Sequence, residues 1–88
     1  MIHVPTGVVS KLRSTSVAER LAAHLWDKTP ESGKRSFRTV SHIRRAPLSA
    51  RRYIAQRAEL EAMPTDEEWQ AASHVVARKV RERREMTG

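Results

Sequence analysis

Eight cationic side chains, Lys34, Arg35, Arg38, Arg44, Arg45, Arg51, Arg52 and Arg57, fall within the twenty-five residues from Gly33 to Arg57, a stretch without a single Asp or Glu. Guanidinium groups in such number do one kind of chemistry well: they donate paired hydrogen bonds to phosphate oxygens and to the outer edge of guanine. They also repel one another. An uncompensated run gains nothing for folding, so a polyanionic partner is the simplest reason for it, with nucleic acid first among the candidates. Lys34, Arg35, Arg38, Arg44 and Arg45 are the expected phosphate contacts. The chain has no Asn, so the Asn contact to adenine is missing, and any direct readout must rest on Arg, Gln, Ser, Thr or on DNA shape.

The segment from Val40 to Ile54 reads Val-Ser-His-Ile-Arg-Arg-Ala-Pro-Leu-Ser-Ala-Arg-Arg-Tyr-Ile. A short apolar helix, a break at Ala46-Pro47-Leu48 and a basic helix opened near Ser49 resemble a helix-turn-helix motif over about fifteen residues. That resemblance implies a second helix lying in the major groove, its first residues on base edges. It would place Arg51 and Arg52 toward bases or phosphates and Ser49 on the DNA backbone, with Gln56 one turn further along as a base reader. Pro47 stands where such motifs usually carry Gly, and Gln56 where an apolar residue is expected.

These residues need elements to position them. Ser16-x-x-Glu19 is a capping box followed by Val17, Leu21 and Leu25 at spacings of four, flanked by Ala18 and Ala22, which predicts an amphipathic helix ending near Lys28. Thr29-Pro30-Glu31-Ser32-Gly33 breaks it. Ser36 to Ala46 fits both helical spacing (Phe37, Val40, Arg44) and alternation (Phe37, Thr39, Ser41, Ile43), and the turn that follows favours a short helix. Pro47 or Ser49 then starts a helix running to Ala62, with Ala50, Tyr53, Ile54 and Leu60 on its apolar side and Arg57 beside them, its stem buried. Met63-Pro64 ends it. Thr65-x-x-Glu68 caps a last helix whose acids lead and whose bases trail, with Trp69, Ala72, Val76 and Val80 as its stripe. Residues 1–15 carry Pro5-Thr6-Gly7 between short apolar runs, which suits a β-hairpin, while Lys11 and Arg13 suit a basic arm. The expected fold is therefore mostly α: a small domain of three to four helices over residues 16–88, preceded by that hairpin or arm.

Composition narrows the function further. At 88 residues the chain can bury only roughly 60 to 65 % of its unfolded surface, so its core is thin and a homodimer is one way to complete it. Trp26, Trp69, Val76 and Val80 are the candidate partner or dimer contacts, although completion of the monomer core is the more usual role for a stripe like that of the last three, and core packing the more frequent use of a lone Trp such as Trp26. Net charge is +7, and all of the excess lies before Met63. Arg outnumbers Lys thirteen to four, which serves phosphate recognition, although a GC-rich coding sequence produces the same excess. Cysteine is absent, which removes disulfides, thiolate nucleophiles and sulfur-ligated zinc. His3, His24, His42 and His74 form no ligand pair, Ser32-Gly33-Lys34-Arg35-Ser36 lacks the upstream Gly of a phosphate loop, and paired carboxylates are missing. No enzyme, metal or cofactor is expected. Phe37 and Tyr53 are read as core, too few for a single-strand stacking platform.

No apolar run reaches the ~20 residues of a membrane span or forms a signal-peptide core, so a cytoplasmic protein is expected, nucleoid-associated if it binds DNA. Three readings follow: a DNA-binding regulatory or architectural protein of prokaryotic or phage type, an adaptor or inhibitor docking an acidic protein, and an RNA- or ribosome-associated protein. Against all three stands a solvated basic face, neutralised by acids folding back from the last helix.

Overall fold

The computed structural model describes the backbone of residues 6–87 and the side chains of residues 16–86. It is mostly helical: α1 (Thr6–Lys28), a 3-10 turn (Gly33–Arg35), α2 (Phe37–Arg44), α3 (Leu48–Arg57) and α4 (Asp66–Thr87). None of these helices is long and apolar enough to cross a membrane.

The core is the seam between the two long helices. α1 contributes Ala18, Leu21, Ala22 and Leu25 at i, i+3, i+4 and i+7, and α4 answers with Trp69, Ala72, Val76 and Val80. Small residues at 18, 22 and 72 let the helix backbones approach closely, while Leu21 and Trp69 fill the space beside them. Buried Ser73 belongs to the same stripe and satisfies its hydroxyl on the Trp69 carbonyl at 3.0 Å. Val40 of α2 closes one end of the seam, and the 3-10 turn also packs on α4.

Chain punctuation largely follows the local signals. Thr29 donates its hydroxyl to the Leu25 carbonyl at 2.6 Å as α1 ends. At Gly33 an added Cβ would lie 2.9 Å from Thr29 Cγ2 and 3.0 Å from Thr39 Oγ1, so glycine is needed there for close approach. Ser36 accepts from the Arg38 amide and caps α2, resolving the helix-or-strand ambiguity in favour of the helix. The Thr65 box forms in full: the Thr65 amide donates to Glu68 at 2.7 Å, and the Glu68 amide donates to the Thr65 hydroxyl at 3.1 Å.

Two boundaries differ from expectation. α1 is continuous from Thr6, so Ser16 is an exposed residue within the helix and the expected division between residues 15 and 16 falls inside it. Extending a helix already nucleated costs far less than starting one, and nothing from Thr6 to Thr15 breaks it. The hairpin or arm expected over residues 1–15 reaches into residues 1–5, which lie outside the described residues.

The second difference is at α3, which stops at Arg57 rather than Ala62. Leu60 donates its amide to the Ala55 carbonyl at 3.0 Å and Glu59 to that of Gln56 at 3.1 Å, the two bonds of a Schellman cap. Glu59 takes the left-handed position with φ of 57°, a place usually given to Gly. Leu60 is thereby turned onto the core, and that burial offsets the local backbone cost.

Candidate nucleic-acid interface

At about 100° per residue, α3 divides cleanly. Arg51, Ile54, Ala55 and Ala58 follow the i, i+3, i+4, i+7 rule and form the inward side: Ala55 is buried and the other three are half-buried. Ser49, Arg52, Tyr53 and Gln56 share an arc about 100° wide on the opposite side, and all four are exposed. With Leu48 and Arg57 at its margins, this arc is the exposed side of α3.

Arg51 does not belong to it. Its Nε donates to the Ala46 carbonyl at 3.0 Å, one Nη to the Arg44 carbonyl at 3.2 Å and the other to Asp66 at 2.9 Å. Its guanidinium stands 4.9 Å from the centroid of the Trp69 ring, and only 20 % of the side chain is exposed. The expected base reader is thus a strut. It satisfies carbonyls at the end of α2 and in the turn Arg45–Pro47, and it ties that turn to the start of α4. Trp69 reinforces the joint by donating its indole N–H to the Ile43 carbonyl at 2.8 Å. An i, i+3, i+4, i+7 count through Ile54 and Ala55 was the signal for it. Centring the face on Tyr53 instead misplaces both residues, and Tyr53 is 57 % exposed rather than core.

The remaining cations stay outside. Arg35 and Arg38 precede and begin α2, Arg44 and Arg45 end it, and Arg52 sits on α3; all five are exposed. Among the described residues the ion pairs are Arg51 with Asp66 and Arg83 with Glu31, so none of these five arginines has a carboxylate partner. Acids of α4 therefore neutralise one residue of the basic run and leave the others facing solvent. Lys34 differs, being half-buried with its ammonium 5.5 Å from the centroid of Trp26. Pro47 takes the N-cap position of α3 with extended backbone, and Ser49 lies one residue inside the helix.

The candidate partner contacts divide into two groups. Trp69 is 1 % exposed, and Val76 and Val80 are fully covered, so these three are monomer core and offer no surface to a second copy. Trp26 is half-buried at the edge of the core, with Lys34 and Lys79 both near its ring. Phe37, expected in the core, is 40 % exposed, with the Arg84 guanidinium 5.3 Å from its ring centroid.

Compared with known proteins, the chain matches no family model, no curated sequence and no solved structure.

Proposed function

We propose that this protein is a non-enzymatic nucleic-acid-binding domain, duplex DNA being the favoured target and regulation or architecture the role. One observation carries the reading: Arg35, Arg38, Arg44, Arg45 and Arg52 project from α2, its flanks and α3 without a carboxylate among the described residues to pair with them. A solvated face would gain by interspersing acids, whereas a phosphate-binding face gains by excluding them. Arg35, Arg38, Arg44 and Arg45 hold phosphates, and α3 presents Arg52 and Gln56 to base edges with Ser49 beside them. Such a protein acts in the cytoplasm, at the nucleoid.

The test is a titration against labelled duplex DNA, single-stranded DNA and structured RNA at several salt concentrations. Engagement of five phosphates predicts that log affinity falls with log salt at a slope near −4.5 on duplex DNA. A slope near −3.5 or shallower with single strands winning would move the reading to a strand binder. Preference for folded RNA would move it to RNA. Absence of binding to any polymer at low salt would reject it.

A second reading has its own observation. Leu48, Tyr53 and Phe37 are exposed apolar side chains interleaved with the arginines, a mixture that also suits an acidic protein partner. The same titration separates the two, because only the nucleic-acid reading predicts affinity that rises with DNA length.

A further inference from the structure

A groove of about 770 Å³ opens between the end of α1, the loop at residues 29–33, α2 and α3. It meets the outward arc of α3 only at Tyr53: Ile54 and Arg57 also line it, whereas Arg52, Gln56 and Ser49 do not. Leu25, Ile43 and Ile54 supply an apolar floor, and His24, His42 and Tyr53 add flat rings. The charges are one-sided. Lys28 and Arg57 line the groove and no Asp or Glu does.

Arg57 is already arranged for a ligand. Its Nε donates to the Tyr53 hydroxyl at 3.1 Å, and its guanidinium stands 5.3 Å from the centroid of the Tyr53 ring. This contact uses the inner nitrogen of the fork and leaves its two terminal nitrogens, the edge that grips a phosphate in bidentate fashion, without a hydrogen-bond acceptor among the described residues. Two cations match the charge of a phosphate monoester, about −1.5 to −2 near neutrality. The volume falls within the roughly 300 to 1,000 Å³ typical of small-molecule sites. An inorganic ion would leave the floor wet, and an uncharged ring system would leave the cations unused.

We propose that this groove binds a nucleoside monophosphate, with the phosphate on Arg57 and Lys28 and the base on the apolar floor beside Tyr53. The site stands independently of the polymer-binding arginines, so the two readings fail separately. The test is calorimetric titration of the full chain with AMP, GMP, CMP and UMP, with adenosine and inorganic phosphate as controls.

Saturable one-to-one binding of at least one nucleotide is expected, with adenosine and inorganic phosphate each weaker by about tenfold or more. The double variant Lys28→Gln, Arg57→Gln should lose about tenfold or more in nucleotide affinity while its melting curve and its duplex DNA binding through Arg44, Arg45 and Arg52 persist. In amide correlation spectra of the parent chain, nucleotide should shift the signals of His24, His42 and Tyr53. Absence of saturable nucleotide binding by the folded parent, inorganic phosphate binding as tightly as the nucleotide, unchanged affinity in the folded double variant, or shifts confined to residues outside the groove would each overturn the proposal.

Discussion

Arg51 and Arg52 are neighbours of identical chemistry with opposite duties. Arg51 spends its donors on the Ala46 and Arg44 carbonyls and on Asp66, so Arg51→Glu should lower unfolding free energy by about 2–3 kcal/mol in urea denaturation. Arg52 is exposed and makes no ion pair among the described residues, and Arg52→Glu should stay within about 0.5 kcal/mol of the parent. On duplex DNA, however, Arg52→Glu should weaken binding and flatten the salt slope by about one unit. Equal stability of the two variants would contradict the strut. Glu59 poses a different question, since its φ of 57° holds a side chain where Gly is at ease. Glu59→Gly should raise stability by about 1 kcal/mol, which in a domain of this size reads as a melting point roughly 4–8 °C higher. A lower melting point would mean that the Glu59 side chain contributes more than its backbone costs.

At the level of elements, the helix ends are where local chemistry decided the outcome. α4 begins at a reciprocal pair of hydrogen bonds between Thr65 and Glu68, and its first turn carries Asp66, Glu67 and Glu68 at the positive end of the helix dipole. Thr65→Ala should cost about 1 kcal/mol, read by thermal unfolding, with amide exchange accelerating first in the opening turn of α4. Uniform acceleration across both long helices would instead show that the cap is coupled to the whole seam. α3 buries a single residue, the small Ala55, just as α2 buries only Val40. Its orientation therefore depends on Arg51 at one end and on the Schellman turn to Leu60 at the other. A helix held at both ends keeps its outward arc in place without requiring a large buried face of its own.

For the molecule as a whole, the long α1 and α4 pair sets both the shape and the fragility. The radius of gyration is 14.4 Å, against roughly 12 Å for a spherical domain of this length, because two helices of more than twenty residues outrun the short ones packed beside them. The core is a single seam in which Leu21 is fully covered. Leu21→Ala should therefore cost roughly 3 kcal/mol, a large share of the stability expected of a small domain. Denaturant titration checks this, and a loss below about 1 kcal/mol would mean that the seam collapses around the gap. The charge is also organised at this scale. Acids of α4 neutralise its own first turn and Arg51, and the exposed arginines of α2 and α3 are left to act together on whatever they meet.

How much of this was legible in advance follows from the range of each interaction. The break at Thr29–Gly33, the Thr65 cap, the Trp69–Val80 stripe and the one-signed run from Gly33 to Arg57 were readable because each is settled by residues within one or two turns of one another. The start of α1 was not, since Ser16-x-x-Glu19 has the same pattern whether it caps a helix or rides within one, and helix continuity decides which. Nor was the end of α3, where an unfavourable Glu59 conformation is tolerated because Leu60 reaches the core. The duty of Arg51 required Asp66 and Trp69, fifteen and eighteen residues away, to arrive beside it. The groove required three helices and a loop to meet. Local hydrogen bonds, apolar stripes and the sign of the field follow from residues close in the chain, whereas tertiary packing chooses which of two adjacent arginines supports the fold and which stays exposed, because that choice lies in partners brought together from afar.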